Sequence, residues 1–397
     1  MARIATSEMI RSSTQIMLDQ QRRLADLQRQ ITSGQRINSA EDDPIGATRV
    51  LDLTRTVDTN AQYQKNIEVA RSRLSMAEVA LVEAQSQLRR VRDLAIQADT
   101  ETVSNEDREV IAQEIKLLLE GILGTANSKD SNGEFLFSGY QGRTQTFTQT
   151  ATGQYVYNGD DGQRFLQVGP ARQVAVSDTG QRLFGAIKTI QASAAVTNTG
   201  TATIKAGAVV DPDSYQPHTF TITFTSSTTY DVTNNITGQT ILTNQVYETD
   251  SAITFNGSQV TISGIPASGD SFVVSPAADA NVFDRIDDLV GYLQSRPRLD
   301  SELDQFHRDV NNAINDIDQA LNTLSGGQTE IGARVNTLDT QEGINEAFSF
   351  QVQKIITGIR DLDYTKAISL FSQQMIALQA AQQAFVRTQS LSLFNFL

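Results

Sequence analysis

Few side chains in this sequence could carry out catalysis or hold a metal ion. The 397 residues include no cysteine and only two histidines, His218 and His307, which excludes thiolate chemistry and histidine-rich metal sites. The sequence also contains no glycine-lysine phosphate loop, no Gly-x-Gly-x-x-Gly segment and no histidine beside a serine nucleophile motif. It therefore predicts a protein that is not an enzyme and that uses no cofactor and no metal.

Three groups of aspartates are the remaining candidates for ligand chemistry. Asp160 and Asp161 precede Gly162, which favours a β-turn over a calcium site. The segment 211–213, Asp-Pro-Asp, lacks the further oxygen ligands of a calcium loop. The third group is expected at the start of a helix, where the helix dipole favours acids: Asp284, Asp287 and Asp288. All three groups are interpreted as local structure.

The dominant pattern is a seven-residue apolar repeat, which packs a helix against partner helices. Between residues 53 and 98 the repeat fills two seams: Leu53, Asn60, Ile67, Leu74, Leu81, Leu88 and Ala95, and Tyr63, Ala70, Ala77, Ala84, Val91 and Ala98. The two ends of the chain show the same spacing. We predict that twelve side chains there form a subunit assembly interface: Ile10, Met17, Leu24, Ile31, Ile368, Phe371, Met375, Leu378, Phe385, Leu391, Leu393 and Phe394.

Local signals predict where the helices begin and end. A first helix over 7–32 should end at Gly34, and Pro44 suits the first turn of a second helix, which runs to about residue 99 with Asp42 or Asp43 as its cap. Ser104 should start a third helix that ends near residue 126, with Asp107 as the capping-box acid.

The middle of the chain changes character. Aromatic residues interspersed with glycines over 131–176 predict short strands and hairpins, followed by a short helix at 179–193. Alternating threonines and apolar residues over 196–280 predict a β-rich insertion with its own core. Its strands are expected at 219–225, 239–247, 252–255, 259–263 and 271–275.

Helical patterns resume after the insertion. Helices are predicted at about 281–295 and 299–324, after which Gly326 and Gly327 should break the second of them. Another helix continues to residue 362, and the last begins near Tyr364.

The predicted fold is mainly α with β-rich central insertions. Long N- and C-terminal helices are expected to pack as a coiled-coil bundle, with a β domain in the middle. The predicted domains are a terminal helix and loop ordered on assembly (1–44), the first half of a helical bundle (45–130), a β-hairpin region with a short helix (131–195), the Thr-rich β insertion (196–280), the second half of the bundle (281–363) and the C-terminal helix (364–397).

Charge is unevenly distributed along the chain. The net charge is -14, yet residues 1–36 carry +3 and residues 364–397 carry +2, which leaves -19 for the middle. A nucleic-acid binder normally shows a basic face, so the acidic balance argues against that class. The last helix has few ions to bury, which indicates that it is enclosed in an assembly.

The sequence shows neither a bilayer-spanning run nor a secretory signal. No uninterrupted apolar stretch is long enough for a membrane span, and Met1-Ala2-Arg3-Ile4 lacks the apolar core of a cleaved signal. The protein is therefore expected to stay inside the cell or to leave it by a route that needs no such signal.

Motifs at both ends resemble the flagellin superfamily. The N-terminal match comprises Arg3-Ile4-Ala5-Thr6, Met9, Leu24, Leu27, Gln28, Gln30, Ile31, Ser33-Gly34, Arg36-Ile37-Asn38-Ser39-Ala40 and Asp42-Asp43-Pro44. The run 363–368, the ending 389–397 and the segment Phe135-Leu136-Phe137-Ser138-Gly139 are similar to one branch of that superfamily, the hook–filament junction proteins. The resemblance covers about 1–140 and 280–397.

The resemblance implies a structural protein of the bacterial flagellum. It would be exported by the flagellar secretion apparatus and assembled outside the cell as a ring between hook and filament. Implied partners are hook-associated protein 1 on the hook side, flagellin on the filament side, copies of the chain itself and an export chaperone; neither nucleic acid nor a membrane is expected.

Two other readings remain open. Flagellin itself, the filament subunit, shares the terminal signature; it would dominate a sheared flagellar preparation and polymerise into long tubes. A surface adhesin or carbohydrate-binding protein would act through residues 196–280, and glycan binding by that segment would favour it.

Overall fold

Helices occupy both ends of the chain. The computed structural model describes residues 2–100, 102–211, 214–296 and 300–394. The helices in this part of the chain are α1 (Ala2–Ser33), α2 (Pro44–Ala98), α3 (Asn105–Ala126), α4 (Gly180–Phe184), α5 (Val282–Gln294), α6 (Asp300–Arg360) and α7 (Tyr364–Phe394).

The strands all lie between α3 and α5. They are β1 (Phe147–Gln149), β2 (Tyr155–Tyr157), β3 (Phe165–Gly169), β4 (Arg172–Ala175), β5 (Ile190–Ala194), β6 (Thr203–Val209), β7 (Phe220–Ser226), β8 (Thr229–Asn234), β9 (Thr240–Val246), β10 (Ala252–Phe255), β11 (Ser258–Ser263) and β12 (Ser271–Pro276). The hairpins β1–β2 and β3–β4 precede α4, and the rest form sheets of order β5-β12-β7-β8-β9 and β10-β11-β6. This arrangement confirms the predicted mainly α fold with a β-rich middle.

The chain divides into two compact units. Residues 1–65 and 340–397 form one, called here the terminal unit, and residues 66–339 form the other, the central unit. Helices α2 and α6 contribute to both.

The central unit contains a large helical core that the heptad repeat predicted. Ten seam residues between positions 67 and 98 are at most 9% exposed: Ile67, Ala70, Leu74, Ala77, Leu81, Ala84, Leu88, Val91, Ala95 and Ala98. They pack with apolar residues of α3, α5 and α6 and with an aromatic group around Phe147 and Phe283, whose ring centroids are 4.8 Å apart. Burial at about 1.5–3 kcal/mol for each large side chain makes this core the main source of the unit's stability.

Several predicted boundaries are confirmed. The Ser104 hydroxyl accepts a hydrogen bond from the Asp107 amide at 3.1 Å and donates one to the Asp107 carboxylate at 2.8 Å, which starts α3. Pro44 opens α2, and the Asp43 carboxylate caps it by accepting from the Gly46 amide at 2.8 Å.

The predicted break at Gly326-Gly327 is wrong, because α6 runs through both glycines without interruption. A Cβ on Gly327 would lie 2.6 Å from Cδ2 of Leu183, so this glycine allows α4 to approach α6 closely. Because helix continuity costs only about 1 kcal/mol per glycine, tertiary contact overrides the local preference.

The predicted helix at 179–193 is also wrong over most of its length. Helix α4 ends at Phe184 with Gly185 as its C-cap, and residues 190–194 form β5, which pairs with β12 from Ile190↔Pro276 to Ala194↔Phe272. Strands β6 and β8 were not predicted. The remaining strands of the insertion lie where their alternating pattern indicated, and their inner faces share a second core that includes Phe220, Phe224 and Phe272.

Candidate functional site

The terminal helices α1 and α7 pack against each other within the terminal unit. On α7 the buried and half-buried side chains step four and three residues apart, as in a coiled coil: Ala367, Phe371, Gln374, Leu378, Ala381 and Phe385. On α1 the half-buried side chains follow the same rhythm: Met17, Gln20, Leu24, Leu27 and Ile31. The N- and C-terminal helices, which the sequence predicts to pack together, therefore do so within one chain.

The predicted interface residues fall into three groups. Met17, Leu24, Ile31, Phe371, Leu378 and Phe385 lie on the seam between α1 and α7. Ile368 and Met375 point away from the seam and are 52% and 41% exposed. The side chains of Ile10, Leu391, Leu393 and Phe394 lie outside what the structure describes.

The outward side of α7 carries an exposed apolar stripe. Ile368, Met375 and Val386 are seven and eleven residues apart and share one face of the helix. Their exposed fractions are 52%, 41% and 63%. We call these three residues the α7 stripe; Leu370 and Ile376 are exposed on other sides of the helix.

The terminal unit exposes more large apolar side chains than it buries apolar ones. Among its described residues fourteen are exposed: Ile16, Leu18, Ile45, Leu51, Ile344, Phe348, Phe350, Ile355, Tyr364, Ile368, Leu370, Met375, Ile376 and Val386. Five are buried: Ile37, Val352, Ile356, Ala367 and Leu378. Exposed apolar side chains in this number favour an interaction surface on this unit.

A glycine at the end of α1 closes the turn where the chain passes towards α2. Gly34 has a positive φ of 72°, and a Cβ there would lie 2.8 Å from the Tyr364 hydroxyl oxygen at the start of α7. The positive φ favours glycine, and a Cβ here would also displace the Tyr364 hydroxyl. Part of the N-terminal family signature is thus explained by contact with α7.

Arg36 ties the same turn to the end of α6. Its amide donates to the Arg360 carbonyl at 2.7 Å, and its guanidinium donates to the Ile359 carbonyl at 2.7 Å. The Leu362 amide in turn donates to the Gly34 carbonyl at 3.0 Å. The connections α1–α2 and α6–α7 therefore form one hydrogen-bonded corner, which we call the paired corner.

Aspartates organise the loop that follows. The Asp42 carboxylate accepts from the amides of Ser39 and Asn38, each at 2.9 Å, and these bonds lower the pKa of Asp42. Asp363 caps α7 by accepting from the Lys366 amide at 3.1 Å.

A buried polar layer joins α2 to α6 inside the terminal unit. Nδ2 of Asn60 donates to the Asn345 carbonyl and to the Ser349 hydroxyl, both at 2.6 Å. Gln341 donates to the Asn345 side chain at 2.8 Å, and Gln64 donates to the Glu342 carbonyl at 3.2 Å. Asn60 occupies a heptad seam position, where a buried amide fixes the register of two helices at some cost in stability.

The two units differ in charge. The terminal unit contains thirteen Lys or Arg and twelve Asp or Glu, so its net charge is +1. The central unit therefore carries -15. Copies can meet through the terminal unit with little repulsion, whereas acidic surface elsewhere favours solubility.

Three of the aspartate candidates, Asp160, Asp211 and Asp284, serve local structure as interpreted from the sequence, whereas Asp287 and Asp288 lie beyond the first turn of α5. Oδ1 of Asp160 accepts from the amides of Tyr140 and Gly162 at 2.9 and 2.8 Å. Asp284 lies in the first turn of α5, where its carboxylate accepts from the Tyr155 amide at 2.9 Å. Asp211 accepts from the Ser214 amide at 3.2 Å, whereas residues 212–213 are not described. Among the described residues no group of three His, Asp or Glu side chains could hold a metal ion.

A cavity of about 540 Å³ lies in the central unit between α5, α6 and the insertion. Asp316 faces it, 92% buried, with Arg285 Nε 3.7 Å from its Oδ2. Burial raises the pKa of Asp316 to about 7, Arg285 opposes this shift, and the nearby charge of Asp288 adds to it.

We expect Asp316→Asn to stabilise the protein at pH 8 and to stabilise it less at pH 5, where only part of the wild type's loss has occurred. The folded state holds a proton on Asp316 that the unfolded chain releases above about pH 4, so the wild type loses stability as pH rises from 4 to 7. The asparagine is neutral at every pH, and we expect a gain of about 1–3 kcal/mol at pH 8. Urea unfolding at the two pH values measures it, and a mutant equally destabilised at both would contradict it.

Helices long and apolar enough to cross a membrane do not occur in the described part of the chain. The helical ends match two known family regions. Residues 4–142 match the bacterial flagellin N-terminal helical region, and residues 314–397 match the bacterial flagellin C-terminal helical region.

Relatives over most of the chain are hook-associated proteins. The chain is 24% identical to flagellar hook-associated protein 3 of Escherichia coli, a match that covers 92% of this chain and 90% of the relative. It is 32% identical to the crystal structure of flagellar hook associated protein-3 from Legionella pneumophila, with a TM-score of 0.62 and coverage of 77% and 98%. Flagellin 1 of Proteus mirabilis is 35% identical but matches only 28% of this chain and 30% of its own length.

Proposed function

The chain belongs to the flagellar hook-associated protein 3 family, and we propose that it builds the junction between hook and filament by covering the apolar surface of its terminal unit with neighbouring subunits. It is a structural protein of the bacterial flagellum, and its full-length relatives are structural too. Likeness to flagellin is confined to about a quarter of the chain in the flagellins compared, so filament formation is not its best-supported role.

The single observation that carries the proposal is the apolar balance of the terminal unit, fourteen exposed large side chains against five buried apolar ones among its described residues. Such a surface is unfavourable in water and becomes favourable when a second surface excludes the solvent. The near-neutral charge of the same unit removes the repulsion that would oppose close packing of identical copies.

In this proposal one surface makes contacts within a chain and another makes contacts between copies. The seam between α1 and α7 holds the two ends of one chain together, and the α7 stripe is covered by an adjacent copy. Each large apolar side chain covered contributes about 1.5–3 kcal/mol. A few of them per contact therefore suffice for stable assembly when each copy has several neighbours in a ring.

Partners beyond the ring follow from the family. Hook-associated protein 1 would contact the ring on the hook side and flagellin on the filament side. An export chaperone would cover the apolar terminal helices before secretion through the flagellar apparatus. The exposed α7 stripe supports such a need, since uncovered apolar surface promotes aggregation.

Amide hydrogen exchange tests the proposal. We expect amides in α1 and α7 to exchange on the order of 100-fold more slowly in isolated hook–filament junctions than in the monomer, because neighbouring copies bury both helices. The central seam around Leu81 and Leu88, already fully buried, should exchange equally in both states and serves as the internal reference. Equal protection of the terminal helices in monomer and junction would refute the proposal.

A further inference from the structure

The β insertion has a core of its own. We call residues 190–276, which span β5 to β12, the insertion module. Its buried side chains, among them Phe220, Val232 and Phe272, form a cluster separate from the helical core of the central unit. The two cores share no buried residue, so the module's own core keeps it folded if it moves relative to the helices.

Two short segments connect the insertion module to the helices. Residues 187–189 and 277–280 run antiparallel, with the Ile187 amide donating to the Ala280 carbonyl at 3.1 Å and the reverse bond at 2.9 Å. Nζ of Lys188 lies 2.5 Å from the Asp279 carboxylate. Ile187 and Ala280 at the base of this stalk pack in the helical core, so the free part of the stalk is 188–189 and 277–279, a short two-stranded ribbon of a kind that is only marginally stable on its own.

A cavity rather than packed side chains lies beside the stalk. Its volume is about 540 Å³; Ile190 and Ala208 of the module line one side, and Arg285, Asp288 and Asp316 line the other. A second cavity of about 190 Å³ separates Gln259 and Thr261 of the module from α6. Polar cavities of this size hold water, so little apolar contact fixes the module's direction here.

Gln319 of α6 bridges the remaining gap. The residue is 5% exposed, and its Oε1 accepts from the Lys188 amide at 3.1 Å. Its Nε2 donates to the Val209 carbonyl at the end of β6, at 2.9 Å. One buried amide thus holds the stalk and the module to the same point of the helix.

From this geometry we infer that the insertion module pivots as a rigid body on its stalk, and that Gln319 is the latch that holds it against α6. Releasing the latch leaves both cores intact. The motion is taken up by residues 188–189 and 277–279, and the two cavities provide the space for it.

Spin-label distances in the full-length monomer test the inference. The chain has no native cysteine, so cysteines at exposed Thr243 in the module and exposed Lys116 on α3 give one clean label pair. In Gln319→Met we expect this distance distribution to shift or broaden by several ångströms. The Lys188 amide should exchange about tenfold faster, the effect of losing one net hydrogen bond.

Two controls make the outcome decisive. Labels at Thr243 and exposed Ser268, both within the module, should keep their distance in Gln319→Met. Gln328→Met, on the same helix, removes only the bond from Gln85 to Gln328 and should leave every distance unchanged. The inference is overturned if the module-to-α3 distribution of Gln319→Met equals that of the wild type, or if the pair within the module broadens, since the module then unfolds instead of pivoting.

Discussion

The double substitution Ile368→Glu and Met375→Glu will abolish incorporation of the protein into the hook–filament junction while leaving the monomer folded. Both side chains are largely exposed on the α7 stripe, so in the monomer the carboxylates stay in water and each substitution changes stability by less than about 0.5 kcal/mol. In the junction the same positions would be covered by a neighbouring copy. Burying an unpaired carboxylate costs several kcal/mol, which corresponds to a loss of affinity of about a thousandfold or more.

Two measurements check this result. Circular dichroism and thermal unfolding report on the monomer, and electron microscopy of labelled protein in cells that lack the native copy reports on incorporation. The matched control is Gln373→Glu with Ala380→Glu, which adds the same charge at the same seven-residue spacing on another, exposed face of α7. Normal filament attachment by the Ile368/Met375 variant, or failure of the control as well, would count against the α7 stripe as the contact surface.

Asp178→Ala will destabilise the central unit by about 3–5 kcal/mol, because it removes a carboxylate that compensates buried positive charge. The Asp178 side chain is 3% exposed and accepts from Arg334 at 2.7 and 3.0 Å. It also accepts from Arg182 at 2.5 Å and from Gln163 at 3.2 Å. Without it the Arg334 guanidinium, whose side chain is 16% exposed, keeps the partly exposed Glu330 as its one acidic partner among the described residues.

Urea unfolding of the full-length chain, followed by helicity, measures the loss. Asp339→Ala is the control: Asp339 lies on α6, as Arg334 does, and the substitution removes an exposed ion pair to Arg71 at 2.7 Å. An exposed pair of this kind contributes at most about 1 kcal/mol. Similar small losses in both variants would show that the Asp178 cluster is not a stabilising centre.

Periodicity within single helices was readable from the sequence, because a seam repeats its information at every turn. Ile67, Leu74 and Leu81 are buried as the heptads indicated. Which face of α7 packs against α1 and which is exposed could not be predicted from the sequence. Both faces are apolar, and Ala367 and Ala381 on one of them are the small residues that allow α1 to approach.

Contacts between residues far apart in the chain could not be predicted from the sequence, because they leave no repeating pattern. By its local preference Gly327 predicts a helix break, but in the folded chain the Leu183 side chain packs close to it and α6 continues. Asp178 and Gln319 stand outside any repeat, and their partners Arg334 and Lys188 lie 156 and 131 residues away. Isolated polar residues carry no periodic signal, so their roles emerge only when the chain is folded.

The paired corner has a mechanical consequence for a structural protein of the flagellum. Main-chain bonds from Arg36 to Arg360 and from Leu362 to Gly34 fasten both turns of the terminal unit to each other. A pull or twist applied to α1 is therefore passed at once into α6, and one applied to α7 into the turn that precedes α2. The two connections are therefore coupled under torque at residues 34–36 and 360–362.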